Sequence, residues 1–258
     1  MSIDVIRAES RRFADVLAAV ASETPVPTCP GWTAADLLWH LTDVQLFWSA
    51  VLSSGATTDE QIQAIQEAAP VRPTNRAEVL ARRERATEDL LAALASGPLD
   101  APAWSWFPPD QTVGFTMRMQ THEATIHRVD AELTAGLTVS PIPPEVAAAG
   151  IDHVLDVMWN WVPASAARVS LGVVELRPSD AEPRTVELFR WTGEAWGTAF
   201  TDQIGGGRAP AGVVADAVIA GPAEHLDRYV WSRPADVTGS GDPDVLRAMD
   251  ELIAFGIQ

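Results

Sequence analysis

The sequence predicts an N-terminal four-helix bundle followed by a small α+β domain with a mostly antiparallel sheet, a class best written α plus α+β. Three observations carry that expectation. Before about residue 136, four long segments repeat apolar residues at helical intervals; Pro141-Ile142-Pro143-Pro144 then breaks the chain; and the runs beyond the break are β-like. In a chain of 258 residues this points to two domains, 1–140 and 145–258.

In the first helical segment, residues 2–22, Ile3, Ile6, Phe13, Val16, Leu17 and Val20 fall at mostly three- and four-residue steps, and Pro25 and Pro27 end it. After the turn-like Cys29-Pro30-Gly31, Thr33 with Asp36 forms an acidic variant of the capping box, opening a second helix that runs to about Leu52. Residues 53–74 read as a long polar connection with one short helix near residues 61–68. Asn75 and Glu78 cap a third long helix carrying Val79, Leu80, Leu90, Leu91 and Leu94, and Gly97-Pro98 stops it. A Trp- and Pro-rich connection follows, and then a fourth helix over residues 113–135 with Gly136 at its C′ position. Two long connections and one short one favour crossovers over a simple up-down-up-down order.

Past the break, residues 145–162 have helical spacing. Residues 168–177 and 185–191 read as strands, the second turning through Thr192-Gly193-Glu194 into residues 195–200 as a hairpin. A further apolar run spans 213–220, a short helix contains His225, Leu226 and Tyr229, and a last helix covers 243–255. Gly205-Gly206-Gly207-Arg208 lacks the GxxxxGK[ST] pattern and reads as a flexible loop, with Arg208 free to contact a ligand.

Charge narrows the function. With 35 acidic against 18 basic residues, the formal charge of −17 repels a phosphate backbone and offers no basic stripe, so nucleic acid is not an expected partner. The single cysteine, Cys29, permits no intrachain disulfide, thiolate zinc cluster or CxxC pair, which fits a reducing cytoplasm. Charges through residues 1–20 exclude a signal-peptide h-region there, and no apolar stretch suffices for a membrane-spanning helix. No GxSxG elbow is present, which argues against an α/β-hydrolase triad.

The chemistry concentrates on histidine. Of five histidines, His40 falls in a 3,4,3,4 series with Leu37, Val44, Phe47 and Val51, so its imidazole is expected to face the bundle interior. On the fourth helix, Glu123, His127 and Asp130 lie on or beside the stripe Met119, Ile126 and Leu133, and Glu123 and His127 are i,i+4 neighbours able to share one ion. A lone carboxylate among apolar side chains loses several kcal/mol of solvation or takes up a proton. A divalent metal held by His40, Glu123 and His127 resolves this, in the two-histidine, one-carboxylate pattern of catalytic zinc and non-haem iron sites. The other reading makes both histidines ordinary core residues with Glu123 as hydrogen-bond partner. His122 lies five residues before His127, a step of about 140° around the helix, so His122-Glu123 is no HExxH motif and His122 belongs at the surface or between helices. Asp130 is either an acceptor orienting His127 or a solvated edge residue.

The stretch Pro27-Thr28-Cys29-Pro30-Gly31-Trp32-Thr33, with Asp36-Leu37-Leu38-Trp39-His40-Leu41 following, resembles the start of the mycothiol-dependent maleylpyruvate isomerase N-terminal domain, one of the DinB-like helical bundles. Arg118-Met119 with the run from His122 to Glu132 is similar to that family's second signature, and Leu226 to Arg233 with Val237-Thr238-Gly239 more weakly resembles the end of its small C-terminal domain. The resemblance implies a divalent metal, zinc first with Fe2+ or Ni2+ as alternatives, held at the positions of His40, Glu123 and His127. It also implies mycothiol as thiol cosubstrate, whose thiolate the metal would stabilise for addition to a small electrophile, in an isomerase or a thiol S-transferase. For an acidic substrate, Arg118, Arg208, Arg228 and Arg233 are candidates, with Arg233 first because it adjoins the C-terminal motif. Two other classes remain open: a metal-containing binding or sensing protein, and a non-haem iron oxygenase.

Overall fold

The computed structural model describes residues 2–159, 162–195 and 197–257. It divides into two compact units, Met1–Ser140 and Pro141–Gln258.

The first unit is built from α1 (Ile3–Ala18), α2 (Ala34–Ser54), the short α3 (Asp59–Glu67), α4 (Arg76–Ala95) and α5 (Val113–Thr134). Local chemistry sets the helix ends. Thr33 closes a reciprocal capping box with Asp36, Asn75 caps α4 through the Ala77 N–H, and Gly136, with φ +67°, lets the chain turn away after α5. A second capping box, Thr58 with Gln61, starts α3 two residues earlier than the spacing predicts. Both α1 and α2 pack on α4 and α5, which leaves α1 and α2, consecutive in sequence, diagonal across the bundle. The order is thus not a simple up-down-up-down one, but the diagonal step from α1 to α2 falls on the short connection, while the long connection after α2 joins the closely packed α2 and α4. Phe13, Leu17, Leu37, Leu38 and Leu41 fill the end of the core near the turn before α2.

The second unit opens with α6 (Pro144–His153), which passes into a π-helical turn at Val154–Met158. The predicted helix over 145–162 therefore changes hydrogen bonding midway, and residues 160 and 161 lie outside the described residues. A five-stranded sheet follows, formed by β1 (Ala167–Pro178), β2 (Arg184–Ala195), β3 (Thr198–Arg208), β4 (Ala217–Gly221) and β5 (Thr238–Gly241), in the order β3-β2-β1-β4-β5. Among the described residues only the β1–β4 pair is parallel. Helix α7 (Ala223–Val230) packs against α6, and α8 (Pro243–Phe255) lies against the sheet.

Two sequence expectations fail here for steric reasons. Gly205-Gly206-Gly207 is not a loop but the interior of β3, paired with Phe189, Leu188 and Glu187. A Cβ on Gly205 would come within 2.5 Å of the Phe189 ring, and one on Gly206 within 2.6 Å of Leu252, so glycine here admits neighbouring side chains to the strand. The hairpin turn also falls later than Thr192-Gly193-Glu194. These residues stay in β2, with a register shift between Trp191 and Gly193 where a Cβ would sit 3.1 Å from Ala166. Among the described residues no helix is long and apolar enough to cross a membrane.

Candidate metal centre

Helices α2 and α5 bring three side chains together. His40 Nε2 lies 3.0 Å from Glu123 Oε1, and His127 Nε2 lies 3.3 Å from the same oxygen. One ligand atom from each of the three residues lies within 4.8 Å of the other two. A tetrahedral ion with ligand bonds near 2.0–2.1 Å separates its donors by about 3.3 Å. The two nitrogen–oxygen distances, 3.0 and 3.3 Å, are close to that spacing, the three ligand atoms span no more than 4.8 Å, and two imidazoles with one carboxylate are the donor chemistry such an ion takes. These residues therefore fit a divalent metal.

The site lies at an edge of the bundle. On α2 the fully covered face is Leu37, Leu38, Leu41, Gln45 and Trp48, whereas His40, Val44 and Phe47 form its partly exposed border. The expectation of an interior His40 is corrected accordingly: its side chain is 30% exposed and that of Glu123 24%. Both side chains therefore keep part of their surface in contact with solvent. His127 is more deeply set, because almost all of α5 is buried.

Asp130 is the orienting partner and not a solvated edge residue. It is fully buried, and its Oδ2 lies 2.8 Å from His127 Nδ1. A proton on Nδ1 donated to that oxygen leaves Nε2, the nitrogen facing Glu123, free to ligate. Without an ion, burial pushes Glu123 toward its neutral form. The hydrogen bonds from His127 and His40 outweigh burial and hold its carboxyl well below the usual carboxylate range. For His127, burial favours the neutral ring, but the bonds to Asp130 and Glu123 win and raise its pKa to about 9. A proton on His127 is therefore held between the Glu123 and Asp130 carboxylates.

Three residues that sequence reasoning did not select for the site lie beside it. The Trp32 ring lies 4.8 Å from that of His40 and 6.3 Å from that of His127, nearly parallel to the latter. Thr28 Oγ1 donates to Asp130 Oδ1 at 2.6 Å, and Cys29 Sγ lies 3.7 Å from Oδ2. Cys29 is 1% exposed, which agrees with a packed thiol rather than a nucleophile. Their signal was present: all three sit in the Thr28-Cys29-Pro30-Gly31-Trp32 segment just before the helix that carries His40.

The other candidates are engaged elsewhere. His122 is buried and not at the surface, and it is outside the metal-ligating group. Arg118 pairs with Asp110, and Arg208 ties Asp152 and Asp156 together at 2.7 and 2.6 Å. Arg228 contacts His225 at 3.2 Å. Arg233, in the second unit, is buried and donates from Nη1 to the carbonyls of Trp231 and Ile257, each at 2.7 Å.

A converging His-Glu-His set on two bundle helices defines a candidate metal-binding helical bundle. Residues 4–132 match the family model described as the mycothiol maleylpyruvate isomerase N-terminal domain, and the chain belongs to that family. No curated protein gives a significant sequence match. Among solved structures the chain is similar to a crystal structure of the mycothiol-dependent maleylpyruvate isomerase, with a TM-score of 0.57, 18% identity, and coverage of 93% of this chain and 92% of that one. A histidine-to-alanine mutant of that isomerase matches with the same TM-score and coverage at 16% identity. At these identities the likeness establishes the shared fold.

Proposed function

We propose that the protein is a metal-dependent enzyme that uses a low-molecular-weight thiol, mycothiol by family, to isomerise or conjugate a small electrophile. The observation that carries this reading is the placement of Glu123 Oε1 within 3.3 Å of both imidazole nitrogens at a partly exposed edge of the bundle. A purely structural ion would be better served by a closed set of four ligands, whereas three protein donors leave a position for a reactant. His40, Glu123 and His127 are the proposed ligands of a divalent ion, zinc by donor chemistry, with Fe2+ or Ni2+ compatible with the same set.

Such an ion, when bound, lowers the pKa of a thiol brought to it and so raises the thiolate population at neutral pH. The protein's own groups do the rest. Asp130 fixes the His127 ring, Trp32 covers one side of both imidazoles, and the exposed margins of His40 and Glu123 admit the reactants. In the isomerase version, sulfur adds to an activated C=C bond, the resulting single bond rotates, and expulsion of sulfur restores the double bond with the thiol unchanged. In the transfer version the carbon–sulfur bond persists and thiol is consumed. Cys29 as the sole cysteine suits a reducing cytoplasm, and a role for Arg233 in holding a substrate carboxylate is part of the same proposal.

The test is turnover of maleylpyruvate and a panel of electrophilic acids by metal-loaded protein, with and without mycothiol, while free thiol is followed. Metal- and thiol-dependent turnover is expected. Its absence across the panel, in protein that retains its metal, would count against the proposal.

A further inference from the structure

We propose that the turn between α1 and α2 is the outer wall of the metal centre, and that Thr28 is a positioning residue which fixes His127 through Asp130. This inference rests on reading His40, Glu123 and His127 as ligands.

The turn is closed on itself. Val26 N–H donates to Trp32 O at 2.9 Å, Trp32 N–H to Cys29 O at 3.0 Å and Cys29 N–H to Val26 O at 3.3 Å, and an antiparallel bridge joins Pro25 to Thr33. Pro27 and Pro30 fix their own φ angles, and Gly31, at φ +86°, takes a backbone conformation that side chains resist. Most of the turn's backbone freedom is therefore gone before any side chain is placed.

From this frame two contacts reach Asp130. A carboxylate held only by His127 could swing about its terminal bond. The Thr28 hydroxyl, 2.6 Å from Oδ1, removes that freedom, and Cys29 Sγ packs 3.7 Å from Oδ2, the oxygen that faces the imidazole. Trp32 meanwhile lies against both histidine rings. The same turn runs directly into the Thr33 cap of α2, the helix that carries His40. One rigid segment thus references the ligand on α2 and a ligand on α5 to each other, although 87 positions separate His40 from His127 in the chain. Removing a partner bonded directly to a ligand, as Asp130 is, typically changes metal affinity by about 10–100-fold, and Thr28, one bond further out, should sit at the low end of that range or below it.

The experiment measures metal affinity by competition with a chromophoric chelator for the wild type and for Thr28→Val, Thr28→Ser and Cys29→Ala. It adds the ligand-field spectrum of Co2+-loaded protein and the melting temperature of each metal-free variant. Thr28→Val should weaken affinity by up to about 10-fold and alter the Co2+ spectrum, Thr28→Ser should restore both, and Cys29→Ala should have the smaller effect. Metal-free Thr28→Val should melt below Thr28→Ser because it leaves Asp130 Oδ1 short of a donor, so the Co2+ spectrum is the readout that reports His127 positioning. Wild-type affinity in Thr28→Val overturns the proposal, as does a serine variant as impaired as the valine one. A wild type that takes up no ion overturns the ligand reading itself and this inference with it.

Discussion

Helix α5 carries two buried polar clusters one turn apart, and they resolve their charge in opposite ways. Around Arg128 and Glu132, both essentially inaccessible to solvent, every charge meets its opposite. Arg128 donates to Glu9 at 2.6 Å, to Glu132 at 2.9 Å and to the Ser140 carbonyl at 2.7 Å, while Arg12, the Ser140 hydroxyl and the Ser140 N–H complete Glu132. Around Glu123, His127 and Asp130, two carboxylates face two imidazoles, with Glu123 between the histidines and Asp130 behind His127. The first cluster balances its charges internally, although Arg128 Nη2 is buried without a hydrogen-bond partner among the described residues. In the second, His127 has a raised pKa between Glu123 and Asp130, so a proton on its ring competes with a cation for the same donors. Burial alone therefore does not separate the two clusters; the imidazoles, which exchange a proton for a cation near neutral pH, do.

The largest expected effect tests the complete cluster. Glu132→Ala leaves Arg128 and Arg12 facing a buried gap and should cost about 3–5 kcal/mol of stability in denaturant melts, with metal content unchanged. Lost metal with intact stability would invert the assignment of the two clusters.

Next comes Asp130→Asn, which keeps the shape but removes the charge behind His127. Metal affinity should fall by about 10–100-fold, equivalent to about 1.4–2.7 kcal/mol. Unchanged affinity in a chelator competition would make Asp130 a packing residue.

The pH response distinguishes a proton from a cation in the open cluster. The pKa of His127 is raised from 6.5 to about 9 in the folded, metal-free protein. Its stabilising contribution should therefore be complete below about pH 6.5 and disappear as pH rises through 9. The metal-free melting temperature should fall over that window, while metal affinity over the same window should rise because the ion displaces protons. Parallel trends would break the comparison.

Much of this architecture is legible in the sequence because local rules and long-range packing agree. The Thr33 and Asn75 caps, Gly136 after α5 and the apolar periods of the long helices follow from side-chain chemistry alone. Glu123 and His127 are legible because one helix turn brings them together, and His40 because it stands in an apolar series on another helix. What spacing could not show is which border of α2 stays open: Leu37 and Val51 are buried, yet His40, Val44 and Phe47 between them are not. Nor could it show Thr28 bonded to Asp130 across 102 positions, a contact made by tertiary packing. The triple glycine of β3 misleads for a similar reason, since its space is taken by Phe189 and Leu252, which are distant in sequence or on another element.

The smallest expected effect calibrates the others. Arg247 pairs with Asp244 at 2.6 Å on the exposed start of α8, where both side chains are more than two-thirds exposed. Arg247→Ala should change stability by less than about 0.5 kcal/mol and leave metal binding alone. A larger loss in the same denaturant melts would mean that surface pairs here cannot serve as the reference for the buried ones.

The most direct measurement is elemental analysis of protein prepared without a polyhistidine tag, set beside His40→Ala with folding checked by circular dichroism. About one divalent ion per wild-type chain, and almost none in a variant of unchanged helix content, is the predicted result. A folded wild type devoid of metal after incubation with zinc, or a His40→Ala protein that binds as tightly as the wild type, would contradict the shared-ion account.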